Sequence, residues 1–184
     1  MDGQETAVAT RGGGFLLAEV SPREVFTPED LTEEQRLVAR TVQEFIEREV
    51  LPHTAALEAK DWELTRRLIR RIGDLGVLGA EVPEAYGGLA LDKSTSLVII
   101  EALGPAASFA LSVGGHIGIG MLPIVFFGTE AQKTRYLPRM ARGELIGAYA
   151  LTEPTAGSDA MSIRTRAVRT PEGDAYLLSG TKQF

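Results

Sequence analysis

Residues 32–50 read TEEQRLVARTVQEFIEREV, and this stretch carries the clearest structural pattern in the sequence. Thr32 and Gln35 have the spacing of a capping box, in which each side chain accepts a hydrogen bond from the other residue's backbone N–H. Apolar side chains then recur at intervals of three and four residues, at Val38, Val42, Phe45 and Ile46. The pattern predicts an amphipathic helix that begins at Thr32 and is ended by Pro52.

The same periodicity continues outward along the chain. A second helix is predicted from the apolar positions Leu64, Leu68, Ile69, Ile72 and Leu75, with Gly76 as its left-handed cap. Residues 77–91 contain Pro83, Gly87 and Gly88, which interrupt every period, so we expect a loop held by its apolar side chains. A third helix is predicted over about 93–103, with Gly104 at its end.

Pro105 stands at the position that helices favour for proline and predicts the start of a fourth helix. The tract 106–127 is apolar and long enough to suggest a membrane span, but it contains four glycines, one histidine and one proline. We therefore expect a buried central helix and no transmembrane segment. A second capping box, at Thr129 and Gln132, predicts a fifth helix that ends near Gly143.

The pattern changes after residue 145. Residues 146–152 and 163–169 are predicted to be extended, the second by an imperfect alternation of apolar and polar side chains. Residues 170–174 predict a turn, and residues 175–178 predict a return strand. The predicted fold class is α+β, with a mostly helical N-terminal bundle of about five helices followed by the first strands of an antiparallel β domain.

Three regions are predicted from these patterns: an N-terminal arm at 1–30, a helical domain at 31–145 and the beginning of a β domain at 146–184. The arm contains the apolar run Phe15-Leu16-Leu17. We predict either a mobile arm that docks this run on another surface or a disordered tail.

Composition excludes several classes of function. The 184 residues include 19 basic and 25 acidic side chains, so the net charge is 19 − 25 = −6, which argues against a nucleic-acid or anionic-membrane surface. The absence of Cys excludes disulfides, thiolate catalysis and Cys-based zinc sites, and two His are too few for a multi-histidine metal site. We expect a soluble, cytoplasmic protein, and the excess of Arg over Lys suggests a bacterial source.

The stretch from Tyr149 to Asp159, YALTEPTAGSD, is the most informative for chemistry. Backbone N–H groups beside Gly157 and the hydroxyl of Ser158 can form an anion site, and an ordinary Asx-type turn explains the same residues. His116 is predicted to be buried and hydrogen-bonded, because no metal-ligand or triad spacing surrounds it. We predict that His53 is solvated.

Several ordered motifs together resemble the N-terminal part of the acyl-CoA dehydrogenases, flavoproteins that oxidise the α–β bond of acyl-CoA thioesters. The resemblance runs from about Leu31 to Phe184. Its motifs are Glu81-Val82-Pro83 before Tyr86-Gly87-Gly88, Phe127-Gly128-Thr129-Glu130, and above all Leu151-Thr152-Glu153-Pro154 followed by Gly157-Ser158-Asp159.

The resemblance implies an FAD cofactor and a set of binding residues. The residues implied for the cofactor are Tyr149, Leu151, Thr152, Gly157, Ser158 and Phe184, with Ser158 near the pyrophosphate and Phe184 against the flavin. Ser158, Gly118 and Gly120 are implied for the acyl-CoA substrate. The stretch Gly157-Ser158-Asp159-Ala160 most resembles the very-long-chain branch, from which Pro123 departs.

The family's catalytic base, a glutamate, belongs to a C-terminal bundle that this chain does not reach, so no catalytic residue is assigned. We expect a fragment that stops inside the β domain and is inactive when isolated. The resemblance implies electron-transfer flavoprotein as acceptor and a homo-oligomer at full length. An acyl-CoA oxidase-like flavoenzyme and a non-enzymatic helical interaction module are the alternatives.

Overall fold

The computed structural model describes residue 21 and residues 25–184. The predicted docking run Phe15–Leu17 lies outside the described residues, so its role stays a prediction. The described part is mostly helical and ends in a two-stranded antiparallel sheet, which confirms the predicted fold class.

Seven helices are present within residues 25–184. They are α1 (Glu33–Phe45), α2 (Thr54–Glu58), α3 (Trp62–Asp74), α4 (Lys93–Leu103), α5 (Ala107–Gly115), α6 (Leu122–Phe127) and α7 (Glu130–Ala141). Short helical turns join some of them end to end: Ile46–Val50 (π) and Leu51–His53 (3-10) between α1 and α2, Gly104–Ala106 (3-10) between α4 and α5, and His116–Met121 (π) between α5 and α6. The helices therefore form four continuous segments rather than the predicted five.

Two predicted helix ends are wrong. Pro52 does not end the first helix, because the wide π turn Ile46–Val50 and a 3-10 turn accommodate a residue that cannot donate to the preceding turn. Gly104 has right-handed angles, φ −46° and ψ −43°, so it continues the helical path instead of capping it. The prediction for Gly76 is confirmed, since its φ of 81° is left-handed.

Both predicted capping boxes are present. The Thr32 N–H donates to Gln35 Oε1 over 3.0 Å, and the Gln35 N–H donates to Thr32 Oγ1 over 3.1 Å. Thr129 and Gln132 make the same reciprocal pair at 2.8 and 3.3 Å. Each box satisfies backbone donors that have no partner inside the helix.

The core consists of two apolar clusters. The larger joins α1, α3, α4 and α5, and its most deeply buried members include Val42, Ile69, Ile72, Leu78 and Phe109. The smaller consists of Val82, Met121, Leu137 and Met140, which hold α7 against the loop 77–91. The loop therefore has buried side chains of its own, as its composition predicts.

The sheet contains β1 (Arg166–Arg169) and β2 (Tyr176–Ser179), with Ala167 opposite Leu178. The predicted turn is confirmed, because the Thr170 N–H donates to the Ala175 carbonyl over 3.0 Å and Gly173 has a φ of 76°. Strand β1 begins three residues later than predicted, since the Glu153 carboxylate accepts the N–H groups of Arg164 and Thr165. Residues 146–152 form no regular strand.

The stretch Lys93–Phe127 is 35 residues long and apolar enough to cross a membrane by length and composition alone. That criterion is weak evidence, because the core helix of a soluble protein also meets it. Val113, His116 and Met121 of this stretch are buried against the rest of the chain.

The close packing of the loop 77–91 is testable at Gly88. A Cβ at this position would lie 2.0 Å from the Val82 carbonyl oxygen, so we expect Gly88→Ala to lower the free energy of unfolding by about 3 kcal/mol or more. Gly114→Ala is the matched control, because a Cβ there meets nothing within 4 Å and Ala favours a helix by about 0.5–1 kcal/mol. Urea denaturation of both variants measures the difference, and equal stabilities would contradict the packing.

Candidate functional site

An open groove of about 510 Å³ runs between α3, the α5–α6 segment and the chain that follows α7. Its walls are largely apolar, and Leu111, Ile119 and Tyr149 are more than half exposed although they are large side chains. The lining residues are Trp62, Thr65, Arg66, Ile69, Leu111, Ser112, Gly115, His116, Ile119, Ile146, Gly147, Ala148 and Tyr149. Concave apolar surfaces with a few polar groups are typical of small-molecule sites.

His116 forms the polar floor of this groove. Its Nε2 lies 3.0 Å from the Met140 carbonyl oxygen, and its Nδ1 accepts the Gly147 N–H over 2.9 Å. Since Nδ1 is an acceptor, the ring proton must be on Nε2, which donates to Met140. Burial lowers the pKa of His116 from its ordinary value, and the Met140 carbonyl acts in the opposite direction. The prediction of a buried, hydrogen-bonded histidine is confirmed.

Two glycines make a close backbone contact beside His116. A Cβ on Gly120 would lie 2.8 Å from the Gly147 carbonyl carbon, and a Cβ on Gly147 would lie 2.8 Å from Met140 Cε. A side chain at either position would separate the helix from the segment that follows α7. The close contact and the histidine together determine where Tyr149 lies.

Glu153 holds the segment beyond Tyr149. Its carboxylate accepts the N–H of Arg164 over 2.6 Å and that of Thr165 over 2.9 Å, and it forms a 3.0 Å ion pair with Lys182. Hydrogen bonds from Thr165 and Arg164, with a smaller contribution from Lys182, lower the pKa of Glu153 to about 2. The side chain is therefore ionised and fully bonded, so it is a poor candidate for a general base.

Lys182 also donates to the Leu151 carbonyl over 2.9 Å, and the Gln183 N–H donates to the Thr152 carbonyl over 2.9 Å. These bonds bring the end of the described chain beside Leu151 and Thr152, which are half-buried, whereas Phe184 is fully exposed. Four of the six residues predicted for the cofactor, Tyr149, Leu151, Thr152 and Phe184, thus lie along one connected strip of backbone, the cofactor strip.

Gly157 and Ser158 lie on an exposed corner next to this strip. Glu153 and Ala156 exchange two backbone hydrogen bonds, of 2.9 and 3.1 Å, which close the turn at Pro154 and Thr155. Among residues 25–184, no group accepts a hydrogen bond from the backbone N–H groups of Gly157 and Ser158 or from the Ser158 hydroxyl. These donors remain available to a ligand, as an anion site requires.

Gly118 and Gly120 do not line the groove, and their predicted contact with substrate stays a prediction. A Cβ on Gly118 would meet nothing within 4 Å, whereas Gly120 packs against Gly147. Gly115 and Ile119 do line the groove; the resemblance implies the tract 114–123 for the acyl chain but does not single out these two residues. Sequence reasoning also missed the hydrogen bonds that Glu153 and Lys182 make within the chain. Two opposite charges 29 residues apart in the sequence do not indicate a contact.

Within the described part of the chain, no three His, Cys, Asp or Glu side chains are arranged to hold a metal ion. The groove offers apolar walls and the hydroxyl groups of Thr65, Ser112 and Tyr149 for binding and orientation.

The low pKa of Glu153 makes the free energy of unfolding depend on pH. Its folded-state pKa, about 2, lies below the ordinary value of 4.5, so its contribution is complete above pH 4.5 and is lost as the pH falls toward 2. We expect Glu153→Gln to lower stability at pH 7 and to reduce the loss of stability between pH 5 and pH 2. Urea denaturation across that range measures both effects. Glu172→Gln, in the exposed turn, is the control, and an identical pH profile for the two variants would contradict this role.

The chain is similar to known proteins over almost its whole length. Residues 32–144 match the family model described as acyl-CoA dehydrogenase, N-terminal domain. A probable acyl-CoA dehydrogenase of Bacillus subtilis (strain 168) is 50% identical over 98% of this chain, and the chain spans 30% of that relative's length. Isovaleryl-CoA dehydrogenase, mitochondrial, of Pongo abelii is 36% identical over 83% of this chain and 36% of its own length.

A solved structure is similar to this chain as well. The crystal structure of an acyl-CoA dehydrogenase complexed with FAD from Bacillus anthracis matches with a TM-score of 0.90 and 49% identity, over 95% of this chain and 30% of that one. The family match covers more than half of the chain and includes the α5–α6 wall of the groove. The chain, with its helical domain and the segment that leads from it to the strands, belongs to the acyl-CoA dehydrogenase family.

Proposed function

We propose that the whole protein is an FAD-dependent acyl-CoA dehydrogenase that oxidises the α–β bond of a fatty acyl-CoA to trans-2-enoyl-CoA, as a step of fatty-acid β-oxidation. The observation that carries the proposal is the apolar groove between the α5–α6 helices and Tyr149, in a chain of this family. This chain supplies one wall for the acyl group and part of the cofactor site.

The cofactor side of the proposal consists of Tyr149, Leu151, Thr152 and Phe184. Their exposed or half-buried side chains offer the hydroxyls of Tyr149 and Thr152 and several apolar surfaces, which suit an uncharged aromatic ring system. FAD, when bound, supplies the redox chemistry by accepting the two electrons of the oxidised bond. Thr152 would orient the flavin ring by a hydrogen bond without adding a charge.

Gly157 and Ser158 are proposed to bind the pyrophosphate. Their free N–H groups and the Ser158 hydroxyl are exposed on one corner, and no carboxylate accepts from them within residues 25–184. Backbone N–H groups bind phosphate oxygens well because they carry partial positive charge and need no reorganisation. Ser158 would also contact the pantetheine part of the substrate.

The acyl chain is proposed to lie along Leu111, Gly115 and Ile119, the groove face of α5 and its π turn, with Gly118 and Gly120 bordering it further along. Gly115 has open space around it, because a Cβ there would meet nothing within 4 Å. This small residue is the reason to propose a long-chain substrate. The general base is proposed to lie outside this chain, consistent with the ionised, fully bonded state of Glu153.

Electron-transfer flavoprotein is the proposed acceptor, and we propose a cytoplasmic homo-oligomer for the whole protein. The purified whole protein should carry FAD, reduce an artificial electron acceptor with acyl-CoA and form no hydrogen peroxide in air. Peroxide production would instead assign an oxidase, and a colourless protein without acyl-CoA-dependent reduction would overturn the proposed activity.

Thr152→Val tests the cofactor contact. Loss of one hydrogen bond, worth about 1 kcal/mol, should weaken FAD binding by about fivefold in a fluorescence titration of the whole protein. Thr155→Val is the matched control, because Thr155 is exposed in the adjacent turn and should leave FAD affinity unchanged. Equal affinities for the two variants would remove Thr152 from the cofactor site.

Gly115→Leu tests the acyl side. The added side chain would occupy open groove space, so we expect kcat/KM for long acyl chains to fall at least tenfold while short chains are used nearly as well as before. Gly114→Leu is the control, since the neighbouring glycine has equal space but does not line the groove. A uniform loss across chain lengths would contradict this assignment.

A further inference from the structure

His116 forms hydrogen bonds that join three parts of the molecule, the α5–α6 segment, α7 and the segment that follows α7. It is the first residue of the π turn His116–Met121, it donates to the last turn of α7 at Met140, and it accepts the N–H of Gly147. π turns inside helices occur frequently at functional sites. The ring is completely buried and also forms part of the groove wall.

Gly147 lies two residues before Tyr149, where the proposed cofactor strip begins. The Gly147 N–H has its hydrogen-bond partner in the His116 ring rather than in a strand, so the position of this backbone depends on the imidazole. Gly147 is also in close contact with Gly120, which lies in the same π turn as His116. The hydrogen bond and the close packing together hold the segment at a definite distance from the helix.

We propose that His116 is a positioning residue, which holds Gly147 and thereby sets the separation between the acyl wall on α5 and the cofactor strip that begins at Tyr149. The inference rests on the proposed function and extends it to a residue that contacts neither ligand directly. Protonation of Nδ1 would turn the acceptor into a donor that faces the Gly147 N–H. Two opposed donors cannot bond, so acid releases the segment.

The neighbouring charged and titratable groups are Arg66 and Tyr149 in the groove, and Arg139, Arg142 and Glu144 at the end of α7. Arg66 is paired with Glu63, and Glu144 is paired with both Arg139 and Arg142. Within residues 25–184 no carboxylate bonds the imidazole, and both its burial and the hydrogen bond from the Gly147 N–H oppose protonation at Nδ1.

Three variants of the whole protein separate the two bonds. Asn carries an amide oxygen near the position of Nδ1, so His116→Asn keeps the acceptor for Gly147 and cannot titrate. Gln carries an amide nitrogen near the position of Nε2, so His116→Gln keeps the donor to Met140 and loses the acceptor. His116→Leu removes both.

Hydrogen–deuterium exchange of peptides covering 145–152 gives a readout that needs no flavin. At pH 7.5 we expect exchange at Gly147 to be about fivefold faster in His116→Gln than in wild type, the size of one lost hydrogen bond, and nearly unchanged in His116→Asn. As the pH falls below the lowered pKa of His116, the wild type should lose both this protection and FAD affinity, whereas His116→Asn should retain both.

Equal exchange in the Asn and Gln variants would overturn the positioning role, and so would an acid loss of FAD affinity that persists in His116→Asn. If His116→Leu does not fold, the comparison of Asn with Gln decides alone. If the wild type binds no FAD, the proposed function fails, while the exchange of Gly147 still tests His116.

Discussion

The imidazole of His116 lies where the helical part of the chain meets the segment that leads to the strands, and it bonds to both. A buried backbone N–H without a partner costs about 1–3 kcal/mol, so the Gly147 amide requires an acceptor at this junction. The ring supplies it while its other nitrogen donates to Met140. The close approach of Gly120 to Gly147 and the course of the chain toward Tyr149 both depend on this arrangement.

Further along the chain, Glu153 likewise accepts backbone N–H groups that have no partner in a strand. The turn at Pro154 and Thr155 reverses the chain, and the N–H groups of Arg164 and Thr165 then point at the carboxylate rather than at a neighbouring strand. Lys182 balances its charge. Between residues 146 and 165, the N–H groups of Gly147, Arg164 and Thr165 thus donate to two side chains, a neutral histidine and an ionised glutamate, instead of to a neighbouring strand.

Local patterns in the sequence predict the elements whose determinants are local. The capping boxes, the left-handed Gly76 and the turn at 170–174 each depend on a few adjacent residues, and all are present. The predictions fail where a distant side chain intervenes. Strand β1 starts late because Glu153 takes two of its N–H groups, and the helix continues past Pro52 because a π turn precedes it.

In the candidate site, too, some features follow from local sequence and others depend on the tertiary structure. Tyr149, which the resemblance implies for the cofactor, lines the groove, and so does Gly115, whereas Gly118 does not. The π turn His116–Met121 contains an additional residue per turn, so the helix faces that follow it do not keep the spacing of a regular α-helix.

By itself, then, the sequence determined the family motifs, the helical character of residues 32–141 and the presence of a possible anion-binding corner at Gly157 and Ser158. Only the tertiary structure decided which small residues face the groove, which carboxylate is fully bonded and what His116 does. The physical reason is that hydrogen bonds from His116 and Glu153 join residues 11 to 31 positions apart, and spacing along the chain carries no record of such contacts.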